Sequence, residues 1–480
     1  MGIACAAEGS RLGPAASGNR RAEGTRLAGM ISILFALTSV PTFSQTLSLE
    51  DETVARLQKY LRIDTTNPPG NETRAVEFFA ALLEAEGIPY ETAEPAPGRG
   101  NLWARLEGGD APALVLLNHT DIVPADESHW SIGPLSGEIR NGVLYGRGAL
   151  DMKSTGMLQF QAFIALHRAG KPLRRDVLFV ATADEEAGGF FGAGWLVEHR
   201  PEIFDDVGLL LNEGGNGSRD GPNVVFSVEV TQKVPLWIRL VASGKPGHGS
   251  TPRAVSAVSR LVAALSRIDA YEFQPRIVPA VASYFRGLAP TEQEPRRGQF
   301  LNMEEAVRHP GFLRELQLDS PFLHALTRNT CSITRLEASN KINVVPSEAT
   351  AEIDCRLLPD QDQEEFIGRL ESIIDDPEIE IEIIMAFTPA ESTTNSELYQ
   401  AIETVCRSHF PNSRVIPMVS TGFTDSHFFR DLGIVSYGFD PTIVPANIEG
   451  TIHGNDERIP IEAVKEGVRR YLEILELVVY

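Results

Sequence analysis

The sequence predicts an α/β protein: a doubly wound, mostly parallel sheet into which a smaller α+β domain, an antiparallel sheet with two helices, is inserted. Three observations carry this prediction. Between about residues 50 and 225, apolar strand-like runs alternate with amphipathic helical stretches, as a doubly wound sheet requires. From about 228 the strands alternate apolar and polar residues, as half-exposed antiparallel strands do. From about 389 the first pattern resumes, so the middle reads as an insertion. The expected division is 46–227 and 389–480 for the larger domain and 228–388 for the inserted one, since 480 residues are too many for one core.

Taken in order, the first 45 residues stand apart. Arg20, Arg21 and Arg26 precede the apolar stretch LAGMISILFALTSVP, which stops before the polar FSQTLS. A basic segment followed by a short apolar one is the layout of an export signal, and cleavage near Gln45 would give a periplasmic or secreted protein. The alternative is an uncleaved anchor, although the apolar stretch is shorter than the roughly 20 residues of a bilayer span. Residues 50 to 88 read as two helices, LEDETVARLQKYL and RAVEFFAALLEAEG, around the breaker NPPG. Strands ALVLLN, VLFVATAD and VGLLLN follow, with helices at 153–169 and 192–200 between them. In the insertion, VPLWIRLVASG, CSITRLEA, ATAEIDCRLL and IEIEIIMAF read as strands, and AVSAVSRLVAALSRI and QEEFIGRLESII as helices. The stretch 271–330 is Pro-rich and then helical, with no assigned place in either pattern. A long amphipathic helix, IEAVKEGVRRYLEILELVV, closes the chain.

Composition narrows the function. Hydrophobic residues make up 42% and charged residues 22%, the balance of a globular protein. A formal charge of -22 excludes a nucleic-acid phosphate track, which needs clustered Lys and Arg. Four cysteines, with Cys5 in the leading segment, form no CxxC pair; they allow one bridge and imply none.

Candidate chemistry sits just past the apolar strands. In HTD, His119 and Asp121 share one face of an extended segment, so Asp121 can orient the ring nitrogen that His119 does not use as a ligand. Taken alone, the same pair fits a strand-end histidine hydrogen-bonded to an aspartate. Asp151, in GRGALDMKS, fits a helix N-cap and equally a carboxylate whose two oxygens bridge two cations. Glu185 and Glu186 leave an apolar strand for a Gly-rich turn, and their adjacency suggests one carboxylate on metal and one facing water as general base. Glu213 follows LLL in NEGG, and His453 lies in a polar loop near the C-terminus. Two imidazoles and three carboxylates suit two cations with one shared bridge; mixed nitrogen and oxygen ligation favours Zn2+, with Co2+ or Mn2+ as substitutes.

These segments resemble a known family, the two-zinc metallopeptidases and deacylases that include aminoacylase, carboxypeptidases G and S, acetylornithine deacetylase and succinyl-diaminopimelate desuccinylase. The resemblance spans about 50 to 480 and rests on TTNPPGNE, NHTDIVP, GRGALDMK, TADEEAGG, NEGG, GKPGHGSTP, NVVPSEATAEIDCRLLP, TDSHFFR and IHGNDERI, in that order. It implies that Asp151 bridges the ions, with His119 and Glu213 completing one site and Glu186 and His453 the other. It implies that Glu185 is the general base, and that His248, from a lid that also forms a homodimer, helps hold the oxyanion.

Asn343 and Arg356 match positions the family uses around substrate, Arg356 near a carboxylate; an Arg356–Asp354 surface pair is the other reading. Where relatives place Arg after TD and a small residue, this chain has His427. A protonated His427, or the Gly422 backbone, is then left to meet the substrate's carboxylate, or the substrate carries a different end group. The expected activity is hydrolysis, by metal-activated water, of N-acyl amino acids or of the C-terminal residue of short peptides. A dipeptidase of the same family and a non-catalytic exported protein that captures carboxylated ligands are the alternatives.

Overall fold

Uninterrupted apolar runs become the centre of an eight-stranded sheet in the computed structural model, which describes residues 47–221 and 223–480. The segment read as an export signal lies outside these residues. The strand order is Tyr90–Ala93, Asn101–Leu106, Arg175–Thr182, Ala111–His119, Val207–Asp220, Val435–Ile443, Asn223–Gln232 and Arg414–Ser420. The middle pairings are parallel, and the hairpin Val207–Asp220/Asn223–Gln232 and the two strands at the far edge pair antiparallel.

The run Ala113–Leu117 is fully buried because alternate side chains enter two different cores. Leu114 and Leu116 pack under helices that include Thr73–Glu86, Lys153–Ala169 and Ile461–Val479, while Ala113, Val115 and Leu117 face Ala193–His199 and Phe429. Phe79 anchors the first core, with ring centroids 5.0 Å from Phe160 and 5.1 Å from Phe179. Gly87, at φ 72, ends the helix Thr73–Glu86 in the left-handed conformation that glycine adopts without steric cost.

The inserted α+β layer is a four-stranded antiparallel sheet, ordered Thr330–Glu337, Glu348–Leu357, Val234–Ser243 and Ile379–Ala386. Along Val234–Ser243, Val234, Leu236, Ile238, Leu240 and Ala242 are buried in the core that contains Leu261 and Leu265 of helix Ala257–Asp269 and Phe366 and Leu370 of helix Gln363–Ile374. The preceding strand, Asn223–Gln232, still belongs to the large sheet, so the chain crosses between the two at Lys233. Cys331 and Cys355 are bonded. They are direct cross-strand partners with Cα atoms 4.1 Å apart, a proximity set by register between distant segments and not readable from cysteine count.

The stretch 271–330 joins neither pattern because it serves the large sheet's edge. Helices Pro279–Leu288, Arg296–Leu301 and Pro310–Asp319 bury Val281, Phe285, Phe300, Phe312 and Leu316 against Val225, Ile416 and Val419. The approach is close at Gly287, where a Cβ would stand 2.5 Å from Ile416. An otherwise open edge strand, Arg414–Ser420, is thereby covered.

Candidate metal centre

Three neighbouring parallel strands bring the chemistry together at their carboxyl ends, the place where open α/β sheets form sites. His119 ends its strand opposite Thr182, Glu185 follows Thr182 through a short turn, and Glu213 lies two residues past Leu211, which pairs with Leu116. His119 is buried, with Nε2 3.1 Å from Asp151 Oδ1, 3.4 Å from Glu213 Oε2 and 4.0 Å from Glu185 Oε2. Its Nδ1 lies 3.2 Å from the Asp121 carbonyl oxygen and 3.4 Å from Asp121 Oδ1, so the Asp121 backbone shares the orienting role expected of its carboxylate. That carboxylate also accepts hydrogen bonds from the N–H groups of Glu185 and Glu186 at 3.2 Å and from Asn67 at 2.8 Å. Asp121 therefore fixes the turn that carries both glutamates.

Asp151 is not an N-cap. The helix begins at Lys153, and the Asp151 carboxylate instead lies between two imidazoles, with Oδ1 toward His119 and Oδ2 3.0 Å from His453 Nε2. Its loop is held by Glu457, which accepts the N–H groups of Leu150 at 2.7 Å and Asp151 at 3.2 Å and pairs with Arg147 at 2.6 Å. Glu186 Oε1 stands 3.3 Å from His453 Nε2.

The electrostatics are those of crowded acids. Burial pushes the Glu185 carboxyl well above the ordinary range, and Glu213 and Glu186 add to the effect. Glu213 is pushed up to about 7, chiefly by burial, with Asp151 adding to it and His119 opposing. Burial alone would raise Asp151, yet hydrogen bonds from His119 and His453 hold it below the usual carboxylate range. His453 is raised to about 10 by its hydrogen bonds to Asp151 and Glu186. Burial opposes the proton on His119, but Glu213, Asp121 and Asp151 together raise it.

The residues present fit two cations. His119, Glu185 and Glu213 offer ligand atoms within 4.8 Å of one another, as do His119, Asp151 and Glu186. The two oxygens of Asp151 address different histidines, and Glu186 Oε1 is turned to the second of them, His453. A donor set of imidazole nitrogens and carboxylate oxygens, with no thiolate, is one that divalent metals of borderline character accept.

Asp151, Glu185, Glu186, Glu213 and His453 line a cavity of about 550 Å³, together with Trp237, Arg356, Gly422 and Phe423. Arg356 pairs with Asp354 at 2.7 Å and lies over Trp237 and Phe423, leaving Nη1 buried and without a partner. Three expected site residues are not brought there. His248 and Asn343 are exposed and lie beside one another, where His248 pairs with Val344 and the Gly249 N–H donates to Asn343 O at 2.9 Å; neither lines this cavity. His427 is buried at 4% exposure, stacked on Phe387 with ring centroids 3.6 Å apart and tilted against Phe428 at 3.8 Å. Burial and the nearby Arg430 depress it to about 3, which disfavours the protonated form expected to meet an anionic end group, and it does not line this cavity. Arg430 is also unavailable, because it forms a buried pair with Glu229 at 2.5 Å.

The supporting residues were harder to see. Arg99 pairs with Glu72 and Asp184, and Asp184, at φ 72, begins the glutamate turn. Asn67 and Glu72 fall in TTNPPGNE and Glu457 in IHGNDERI, but nothing in their spacing marks them as supports for another segment's loop.

Residues 115–477 match the description Peptidase family M20/M25/M40. An N-fatty-acyl-amino acid synthase/hydrolase of Xenopus tropicalis is 32% identical over 384 residues, covering 78% of this chain and 74% of the relative. Human aminoacylase-1 is 27% identical over 436 residues, covering 89% and 95%. Among solved structures, an M20 family metallo-carboxypeptidase from Sulfolobus solfataricus aligns with a TM-score of 0.69 at 20% identity, covering 89% of this chain and 99% of that one.

Because protons and cations compete for these donors, cation affinity is expected to rise with pH and to weaken as pH falls through about 7, where Glu213 takes up a proton. Calorimetry in buffers of different ionisation enthalpy should show proton release on binding. Binding that is indifferent to pH, or an Asp151→Ala variant that still holds two cations per chain, would contradict the assigned donors.

Proposed function

The chain belongs to peptidase family M20/M25/M40 and is a metal-dependent hydrolase of amide bonds; we propose that its substrates are N-acyl amino acids and that its two cations are zinc. The observation that carries this reading is Glu185, a buried carboxylate in the wall of the cavity, 4.0 Å from the histidine at the centre of the donor cluster. When bound, a pair of such cations polarises an amide carbonyl and acidifies water. Glu185 takes the proton from the attacking water and hands it to the leaving amine; burial and the neighbouring acids raise its basicity for that task. Asp121 keeps Glu185 and Glu186 in place through their backbone N–H groups.

The same cavity has two recognition features. Arg356, with its unpartnered Nη1, suits the carboxylate of the amino-acid portion through its planar fork. Trp237, Phe423, Val444 and Ile452 supply apolar surface for an acyl chain, in keeping with the names of the relatives.

His248 and Asn343, exposed and outside their own chain's cavity, are proposed to serve the site of a second subunit in a homodimer built through the small sheet. Exposed Val262, Leu336, Ile342 and Ile383 in that region give such an interface apolar surface. Mixing His248→Ala with Glu185→Gln subunits should restore activity that neither variant shows alone, since the mixed dimer regains one complete site. No restoration after demonstrated subunit exchange would reject the shared site.

Glu185→Gln should lower kcat by roughly 10²–10⁴ while cation content is unchanged. With zinc-loaded protein, N-acyl amino acids should be cleaved faster than dipeptides, and Arg356→Ala should raise KM more than it lowers kcat. Turnover unaffected by Glu185→Gln would remove the proposed base, and faster cleavage of dipeptides would overturn the substrate assignment.

A further inference from the structure

A second and larger cavity, of about 970 Å³, shares no lining residue with the cavity at the metal centre. It is built from the stretch 272–277, the helix Pro310–Asp319 and the turns before and after it, all within the segment that covers the sheet edge. In a chain of formal charge -22, four arginines and only two glutamates line it. Arg276 is paired with Asp360, and Arg308 with Glu305 at 3.2 Å. Arg314 and Arg328 have no carboxylate within ion-pair distance among the described residues. Arg328 is also partly buried, with Nε enclosed and without a hydrogen-bond partner.

The wall that carries Arg328 is preorganised. The buried Lys233 ammonium donates to Ala325 O at 2.9 Å, Arg328 O at 2.8 Å and Thr330 Oγ1 at 2.9 Å, pinning the turn by three hydrogen bonds. His324, beside it, is held below its ordinary range by burial and by the positive charges of Arg328 and Lys233. The same cavity is also lined by the apolar residues Phe273, Ile277, Val307 and Leu313, with Phe273 stacked on Phe366 at 5.3 Å.

Two guanidinium groups without an ion-pair partner, Arg328 with Glu272 as the acid acting on it, suit an anion, and the apolar side chains that share their cavity suit a hydrocarbon body; neither half alone accounts for the other. We propose that this cavity is a second ligand site, separate from the metal centre, for an amphipathic monoanion: a carboxylate carried on an alkyl chain. Arg314 and Arg328 hold the carboxylate, and Phe273, Ile277, Val307 and Leu313 cover the first part of the chain. The site does not depend on the catalytic reading, because it uses none of the residues assigned to hydrolysis.

The probe is dodecanoate, measured by calorimetry on the full metal-loaded chain at pH 8, with inorganic phosphate and dodecanol as the head-only and chain-only controls. Arg314→Ala and Arg328→Gln should each weaken dodecanoate binding roughly ten-fold or more, and both controls should bind at least as weakly as dodecanoate does to those variants. Read in the Arg356→Ala background, which removes the carboxylate contact of the metal-centre cavity, the Arg314-dependent binding should persist. Arg314 is exposed, so its variant tests the site without endangering the fold. Wild-type affinity in Arg314→Ala, loss confined to Arg356→Ala, or phosphate binding as tightly as dodecanoate would each overturn the proposal.

Discussion

Mutual repulsion among buried carboxylates is the constraint around which the rest of this structure is arranged. Asp151, Glu185, Glu186 and Glu213 are gathered at one sheet edge with two imidazoles among them, and three of the four, Glu185, Glu186 and Glu213, are held above their ordinary range, chiefly by burial. Such a cluster is unfavourable unless positive charge enters it, since buried charges need compensation. Three cationic side chains nearby are committed elsewhere: Arg99 to Glu72 and Asp184, Arg147 to Glu457, Arg430 to Glu229. The fold holds the acids together and leaves their neutralisation to cations.

That arrangement rests on backbone, not on flexible side chains. Three adjacent parallel strands fix the spacing of His119, Glu185 and Glu213 through register, and both of their faces are sealed by separate cores. Asp121 and Glu457 then accept backbone N–H groups from the loops that carry Glu185, Glu186 and Asp151. Their own carboxylates stay out of the donor cluster and set the directions of those within it, as partners behind a metal's ligands do.

The parts legible in the sequence are those where local pattern and global position agree. An apolar run followed at once by His119, Glu185 or Glu213 announces a buried strand ending at a site, and the antiparallel insert is announced by its in-out alternation. What stayed hidden depends on contacts between distant segments. His427 is buried with Phe387, forty residues earlier, stacked on it. The Cys331–Cys355 bond follows from a cross-strand register. The helices within 271–330 have their place through packing on Val225, Ile416 and Val419, which come from strands far apart in the chain. Asp151 illustrates both cases: its position before a helix suggested a cap, and the two histidines that claim its oxygens come from segments far away on either side.

We propose that Asp151 would share two bound cations, one oxygen to each. Anomalous diffraction at the zinc edge, from crystals grown with zinc, is the decisive measurement. Two scattering centres should flank Asp151, one beside His119 and Glu213 and the other beside Glu186 and His453. A single centre, or a pair of which only one touches Asp151, would contradict it.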